Sequence, residues 1–313
     1  MNLKIFAFKF FLLAHVILSL CPNIVLAEKV LNVLIVANSN DEPFKQAIAG
    51  FKEQLSKVQK VNYIDLFVSQ NENPDKMLAS EIKNRKPDLI FSLGGESTET
   101  ALQNTSTTPI VSTMILKKFS YKDASNITGV YLNYPLSIQF QWLKKFFPEQ
   151  RNIAIFYNPE ENDLTIQDAK KIAAQVALDL FAIPVQNPKE LPYALDQLRS
   201  NIEIIMAIPD DVAMSSKTAK EVLLASFRNR VPLIGLSDNW VKSGALYALS
   251  WDYDDLGRQC AIQSDKLARG ASIQSVPIEY PRKITYSINA KIAEHMNMDI
   301  PQALLKNAKL IFN

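Results

Sequence analysis

Histidine and cysteine are nearly absent: the 313 residues contain two of each. His15 and Cys21 fall within the first 27 residues, so His295 and Cys260 are the pair left in the body of the chain. A disulfide framework needs paired cysteines, and a lone cysteine on a helical pattern reads as a small buried hydrophobe. Ser-His and Cys-His nucleophiles, and most zinc sites, need a histidine beside other reactive groups. His295 stands near the end of a helical pattern, in Lys291-Ile292-Ala293-Glu294-His295-Met296, and reads as a surface or last-turn residue. No glycine-rich phosphate loop is present, since Gly94-Gly95 runs into Glu96-Ser97-Thr98 without the lysine of a P-loop or the spacing of a dinucleotide fingerprint. No catalytic residue, metal ligand or cofactor is therefore assigned, and no enzymatic activity is expected.

Charge of one sign is missing as well. The chain holds 34 Lys+Arg against 32 Asp+Glu. The first 27 residues contain Lys4 and Lys9 and no acid, so the remainder is balanced at 32 of each sign. Nothing in that balance attracts nucleic acid, and no nucleic-acid partner is expected.

The N-terminus decides the compartment. Lys4 and Lys9 precede an apolar stretch, residues 10–20, that only His15 and Ser19 interrupt and that is short for a membrane span. It leads to Val25-Leu26-Ala27, which suits signal peptidase, so residues 1–27 read as a signal peptide cleaved after Ala27. An uncleaved anchor and lipidation at Cys21 rank lower. Leu20 fills the position before Cys21, where a lipobox needs a small residue. The mature chain is expected in the periplasm or otherwise outside the cytoplasm.

From residue 31 onward, strand-like apolar runs alternate with amphipathic helical segments. Strands are expected at 31–37, 61–67, 89–93 and 109–114, with helices at 42–57, 76–84 and 97–103 between them. After a polar interruption at 126–135 the rhythm restarts. Helices are expected at 138–147, 165–180, 189–200 and 215–229, and strands at 153–157, 182–185, 202–208 and 232–236. Continuous apolar strands separated by helices imply parallel sheets covered on both faces. The fold class is thus α/β, with two Rossmann-like lobes and a cleft between them, and ligands are expected beyond the carboxyl ends of the strands.

The second half carries a resemblance. Val231-Pro232-Leu233-Ile234-Gly235-Leu236-Ser237-Asp238, Val241-Lys242-Ser243-Gly244-Ala245-Leu246 and Asp252-Tyr253-Asp254-Asp255-Leu256-Gly257-Arg258-Gln259 resemble the ABC transporter substrate-binding protein family. That family has the type I periplasmic-binding fold and includes tryptophan- and tyrosine-type receptors. Asn126-Ile127-Thr128-Gly129-Val130, Tyr157-Asn158-Pro159, Ile208-Pro209-Asp210-Asp211 and Ile300-Pro301 agree in order. The resemblance implies three segments crossing between the lobes, near 130–135, 250–253 and 275–280. Lobe one would be 28–133 plus 252–275, and lobe two 134–251 plus 276–313. It further implies a monomer that closes on a small-molecule solute and is read by a membrane permease of an ABC transporter. The alternative is a sensory receptor of the same fold that signals to a membrane partner.

Within that frame an amino-acid-like solute is favoured, and each of its groups has candidates. A carboxylate suits the helix start after the third strand, at Gly95, Ser97 and Thr98. An ammonium suits Asp210, Asp211 or Asp238, which follow strand ends in the second lobe, and a ring suits Tyr157, Trp240 or Phe44. Asn38 and Thr113, at the ends of the first and fourth strands, complete the ligand-binding candidates. Each has a plainer use: Ser97, Thr98 and the Asp210-Asp211 pair could cap helices, and Phe44 belongs to a buried helical stripe. The chain departs from the family at Leu116-Lys117-Lys118, Gly95 and Trp251, which weakens transfer of amino-acid specificity and leaves an acidic or phosphorylated solute open.

Overall fold

The computed structural model describes residues 30–68, 73–116, 124–196, 198 and 201–313. The expected signal peptide, Cys21 and Lys117-Lys118 lie outside these residues. Among the described residues, no helix is long and apolar enough to cross a membrane.

Two sheets organise the chain. The first has the order β2-β1-β3-β4-β5 and is wholly parallel. Its strands are β1 (Leu31–Ala37), β2 (Val61–Phe67), β3 (Leu89–Leu93), β4 (Ile110–Thr113) and β5 (Ile127–Gly129). Between them run helices α1 (Glu42–Ser56), α2 (Pro74–Arg85) and α3 (Gly95–Asn104). Prolines in the first turns of α1 and α2 start these helices without forfeiting a bonded N–H.

Burial explains the unbroken apolarity of β1. Val33, Ile35 and Ala37 join one core with Phe51 and Leu55 of α1, while Leu34 and Val36 join another with Leu78 and Ala101. Alternate side chains thus enter two different cores, one on each face of the sheet.

In the second sheet the order is β12-β11-β10-β9-β8-β6-β7, built from β6 (Asn152–Tyr157), β7 (Asp179–Pro184), β8 (Ile204–Met206), β9 (Leu233–Ile234), β10 (Tyr247–Trp251), β11 (Ile284–Asn289) and β12 (Leu310–Phe312). All its pairs are parallel except β10 with β11. Its helices are α4 (Leu136–Phe146), α5 (Pro159–Gln175), α6 (Leu191–Asp196), α7 (Ala219–Asn229), α8 (Asp238–Lys242), α10 (Ala290–His295) and α11 (Gln302–Asn307), and α9 (Tyr253–Ala268) lies apart from them.

Several elements differ from the sequence pattern. Helix α5 begins at Pro159, six residues before the expected 165, because Asn158 Oδ1 accepts from the Glu160 N–H and caps the chain there. The expected helix 189–200 is a short 3₁₀ turn at Pro188–Glu190 followed by α6, and the helix expected from 215 starts at Ala219.

After β10 the chain leaves the second sheet, and α9 packs against α1 of the first. Gly50 and Gly257 make this approach possible: a Cβ on Gly50 would lie 2.1 Å from the Asp254 carbonyl oxygen, and one on Gly257 would lie 1.9 Å from that of Ala47. The chain therefore passes between the sheets three times: after β5, after β10, and between α9 and β11. The first and third passages run side by side, Tyr131 N–H donating to Glu279 O at 3.0 Å and Glu279 N–H to Gly129 O at 2.9 Å. Leu132 and Tyr134 of the first passage belong to the same core as residues of both sheets.

Cys260 is fully buried in α9, and burial pushes its thiol well above the usual range. His295, the last residue of α10, stacks on Phe227 with ring centroids 3.9 Å apart. No group of three or more His, Cys, Asp or Glu among the described residues could hold a metal ion.

Candidate ligand-binding cleft

A cavity of about 300 Å³ opens where the first two passages meet the carboxyl ends of the second sheet. Strand β10 supplies one wall through Tyr247, Leu249 and Trp251, alternate residues that share a face. Another wall comes from the ends of β8 and β9, through Met206, Ala207 and Pro209 and through Ile234 to Ser237, with Trp240 of α8. Leu132, Asn133, Tyr134 and Gln139 close it from the first passage and α4, and Leu116, just after β4, is the first sheet's share. Among the described residues, no charged side chain lines it. The volume falls at the small end of ligand pockets, and the lining is mostly apolar with a few polar groups, the composition that binds rings and aliphatic bodies.

Trp251 and Tyr253 stand with ring centroids 6.3 Å apart at 45°. The Trp251 indole N–H is buried and has no acceptor among the described residues, an arrangement that costs about 1–3 kcal/mol. Burial raises the Tyr253 phenol above its ordinary value, and the nearby Asp238 carboxylate adds to that. Neutral rings are thus what the cavity itself presents.

Four of the sequence candidates come together at the carboxyl ends of β1 and β3. Asn38 Oδ1 accepts from the Ser97 N–H at 2.7 Å, so a side chain from another strand caps α3. Gly94 has φ +97° and lies against Asn38, where a Cβ would come within 2.7 Å of Asn38 Cγ, so glycine is needed on both counts. Ser97 and Thr98 are buried inside the first turn and do not cap it. Ser97 Oγ donates to Leu93 O at 2.6 Å, and Thr98 Oγ1 donates to Gly94 O at 2.7 Å and lies 2.9 Å from Ser92 Oγ. Gly95 is the first helical residue, at the positive end of the α3 dipole. Thr113 is fully buried beside Cys260.

In the second lobe, Asp210 is buried and already surrounded. Its Oδ2 accepts from Asn158 N–H at 2.6 Å and Asn162 Nδ2 at 2.8 Å, and its Oδ1 accepts from the N–H groups of Val212 and Ala213 at 2.9 and 2.7 Å. The carboxylate thereby ties the loops after β6 and β8 to α5. Asp211 lies beside it, its N–H donating to Glu161 Oε2 at 3.0 Å. Tyr157 is buried at the end of β6, and burial is the main cause of its raised phenol pKa. Asp238 opens α8 next to Ser237, where the Ser250 hydroxyl donates to Oδ1 and Lys309 Nζ stands 3.5 Å from Oδ2. Lys309 also donates to Trp251 O at 3.1 Å.

None of the nine ligand-binding candidates lines the cavity itself; Trp240, weighed for a ring, does. Tyr134, Tyr247, Trp251, Tyr253 and Gln139 were not picked out as ligand contacts. Aromatics clustered at the expected passages 130–135 and 250–253 were the available signal, because a passage between lobes borders the cleft by construction.

The described fold has known counterparts. A family model described as "ABC transporter substrate binding protein" matches residues 31–311. A tyrosine-binding protein of Clostridioides difficile is 23% identical over 245 residues, spanning 75% of this chain and 70% of that protein. An uncharacterised protein of Rickettsia prowazekii is 24% identical over 292 residues, 92% of this chain and 90% of the relative. Among solved structures, the ligand-free, open form of a substrate-binding protein with adhesive properties from Clostridium difficile superposes with a TM-score of 0.73 at 21% identity, covering 90% of this chain and 99% of the other. A Streptococcus pneumonia ABC domain in complex with L-Trp gives 0.62 at 17% identity, covering 91% and 100%. The fold is that of type I periplasmic-binding proteins, and the chain belongs to the ABC transporter substrate-binding protein family.

Proposed function

We propose that the chain is the exported solute receptor of an ABC-type importer and that it takes an amino-acid-like solute with a neutral ring. The observation that carries this reading is the cavity bordered by Tyr134, Trp240, Trp251 and Tyr253, with no charged side chain among the described residues of its wall. A low-dielectric wall without a counter-charge disfavours an acidic, basic or phosphorylated side chain, since burying an unpaired charge costs far more than a ring gains. The tyrosine-binding relative and the structural neighbour that holds L-Trp support the same class. The lobe limits of 28–133 with 252–275, and 134–251 with 276–313, belong to this reading. Membership of the strands in two sheets and the packing of α9 on α1 support them.

Charged ends of such a solute fall to the candidates outside the cavity. Asp238, adjoining the cavity residue Ser237, is the acid best placed for an ammonium, and Gly95, at the start of α3, is placed for a carboxylate. Asp238 already has Lys309 as counter-charge. A solute ammonium must displace it, so the gain falls below the 2–5 kcal/mol of a desolvated pair.

Thermal unfolding with L-tyrosine, L-tryptophan, L-phenylalanine, L-glutamate, L-lysine and phosphate tests the reading. An aromatic amino acid at about 100 times its Kd should raise Tm by roughly 5 °C. Asp238→Asn should bind it about tenfold more weakly by calorimetric titration. Stabilisation by glutamate, lysine or phosphate with none by the aromatics would sink the proposal. Export is a separate part of it: secreted protein should begin at Glu28, and an intact mass that retains Cys21 with acyl chains would overturn cleavage after Ala27.

A further inference from the structure

Strand β10 gives the cavity two different ends. It runs parallel to β9, so Trp251, its last residue, lies on the cleft side and Tyr247, its first, lies away from it. Four residue steps separate the two, about 13 Å, which is room for an aromatic amino acid laid along the strand. Ionic groups gather at the Trp251 end: Lys309 Nζ donates to Trp251 O at 3.1 Å, the Ser250 hydroxyl donates to Asp238, and Lys283 pairs with Asp252. Around Tyr247 the neighbours are apolar. Its ring stacks on Phe146 with centroids 3.8 Å apart at 5°, and its partners on β9 and β11 are Ile234 and Ile288. A polar atom without a partner lies in this apolar end: Tyr247 is 1% exposed, and its hydroxyl makes no hydrogen bond among the described residues. It is not sealed in as the Trp251 indole N–H is, so what stays open of Tyr247 includes the hydroxyl, and the cavity is the space that it meets. The Tyr134 hydroxyl, by contrast, is 2.8 Å from Ser250 O and 2.9 Å from Lys283 O, and its proton is taken.

We propose that Tyr247 is a specificity-determining residue: the solute enters ring first, and the Tyr247 hydroxyl shares a hydrogen bond with a polar atom on the far edge of that ring, so that a phenol is selected over a plain phenyl. The amino-acid groups of the solute rest on the reading above; the phenol subsite does not. Burial raises the pKa of the Tyr247 phenol, so the group stays a neutral O–H, able to donate or to accept. A ring without the polar atom leaves this hydroxyl desolvated and unpaired, which is why a site built around a hydroxyl rejects the analogue that lacks one.

Two pairs of probes, each differing by a single hydroxyl, test this on the full mature chain and on Tyr247→Phe: L-tyrosine with L-phenylalanine by calorimetry, and 4-methylphenol with toluene by NMR titration. In the parent, L-tyrosine should bind about tenfold more tightly than L-phenylalanine. In Tyr247→Phe that ratio should collapse toward one, with tyrosine weakened and phenylalanine unchanged or tighter. The ratio of 4-methylphenol to toluene affinity should fall by the same factor of about ten. Because the hydroxyl bonds nothing in the fold, Tyr247→Phe should melt with the parent. Tyr286→Phe is the control: it loses a 2.8 Å bond from its hydroxyl to Leu304 O, so it should melt lower and keep both ratios. Ratios in Tyr247→Phe that match the parent, a Tyr247→Phe that melts lower or does not fold, or a parent that takes neither fragment would each overturn the subsite. A parent that binds neither amino acid, with the fragment ratio falling in Tyr247→Phe, would overturn the proposed solute and support the subsite.

Discussion

Asp210→Ala should unfold at a much lower urea concentration than the parent, with a loss of about 4 kcal/mol. Four donors converge on this one buried carboxylate: two main-chain N–H groups of its own turn, the Asn158 N–H and the Asn162 amide. Alanine offers none of them an acceptor. Each buried donor left unpaired costs about 1–3 kcal/mol, although relaxation and water entry keep the sum well below four separate penalties. Asp210→Asn retains one oxygen but turns an NH₂ toward two of the donors, so an intermediate loss is expected. The result also separates two roles. A carboxylate already saturated by its own lobe has no need of a solute ammonium, so Asp210→Asn should shift the urea midpoint more than it shifts affinity. An unchanged midpoint for Asp210→Ala would show that the four bonds are not made in solution.

Gly257→Ala should be comparably damaging through packing. The added Cβ would stand 1.9 Å from Ala47 O and 2.7 Å from Phe51 N, both backbone atoms of α1 that have no rotamer through which to yield. In an isolated helix, alanine for glycine would stabilise by about 1 kcal/mol. Here the clash dominates, because the two helices must separate along their closest line of approach, and a net loss of roughly 3 kcal/mol is expected. Gly50→Ala, with 2.1 Å to Asp254 O, should behave alike, and the pair should be less than additive because both open the same contact. Gly270→Ala is the control: nothing lies within 4 Å of its Cβ, so only the φ of +95° counts, at about 1 kcal/mol. Equal thermal stability of Gly257→Ala and Gly270→Ala would mean that α9 does not pack on α1 as described.

The Gly257 contact also marks the limit of what local pattern can reveal. The rhythm of apolar strands and amphipathic helices was legible because each residue of β1 records the burial of its own face, and two covered faces leave an unbroken apolar run. The scarcity of histidine and the balance of charge, likewise properties of composition, set the expectations about chemistry without any contact being known. Of the packing of α9 on α1 the local pattern left only two glycines as a trace, and it was the family resemblance, by grouping 252–275 with 28–133, that anticipated it. Helix starts were partly legible as well: Asn158-Pro159 begins α5, yet the expected start lay six residues later because the periodic apolar residues begin after the cap.

The candidate site divides along the same line. Sequence alone pointed to the carboxyl ends of parallel strands, and it singled out Asn38, Gly95, Ser97, Asp210 and Asp238 there, because a strand that ends in a polar turn is a local signal. Which of those groups are free, and which are consumed by the fold, was decided only in three dimensions. Ser97 and Thr98 bond back to their own turn, Asn38 caps a helix from another strand, and Asp210 is enclosed by two donors of its own turn and two brought from 48 and 52 residues away. The cavity is wholly tertiary: Tyr134, Trp240 and Trp251 are scattered over more than a hundred residues and meet only because the second sheet sets β8, β9 and β10 side by side and the first passage runs past their ends. Periodicity reports which side of an element faces away from water; it carries no record of which distant side chains share that side.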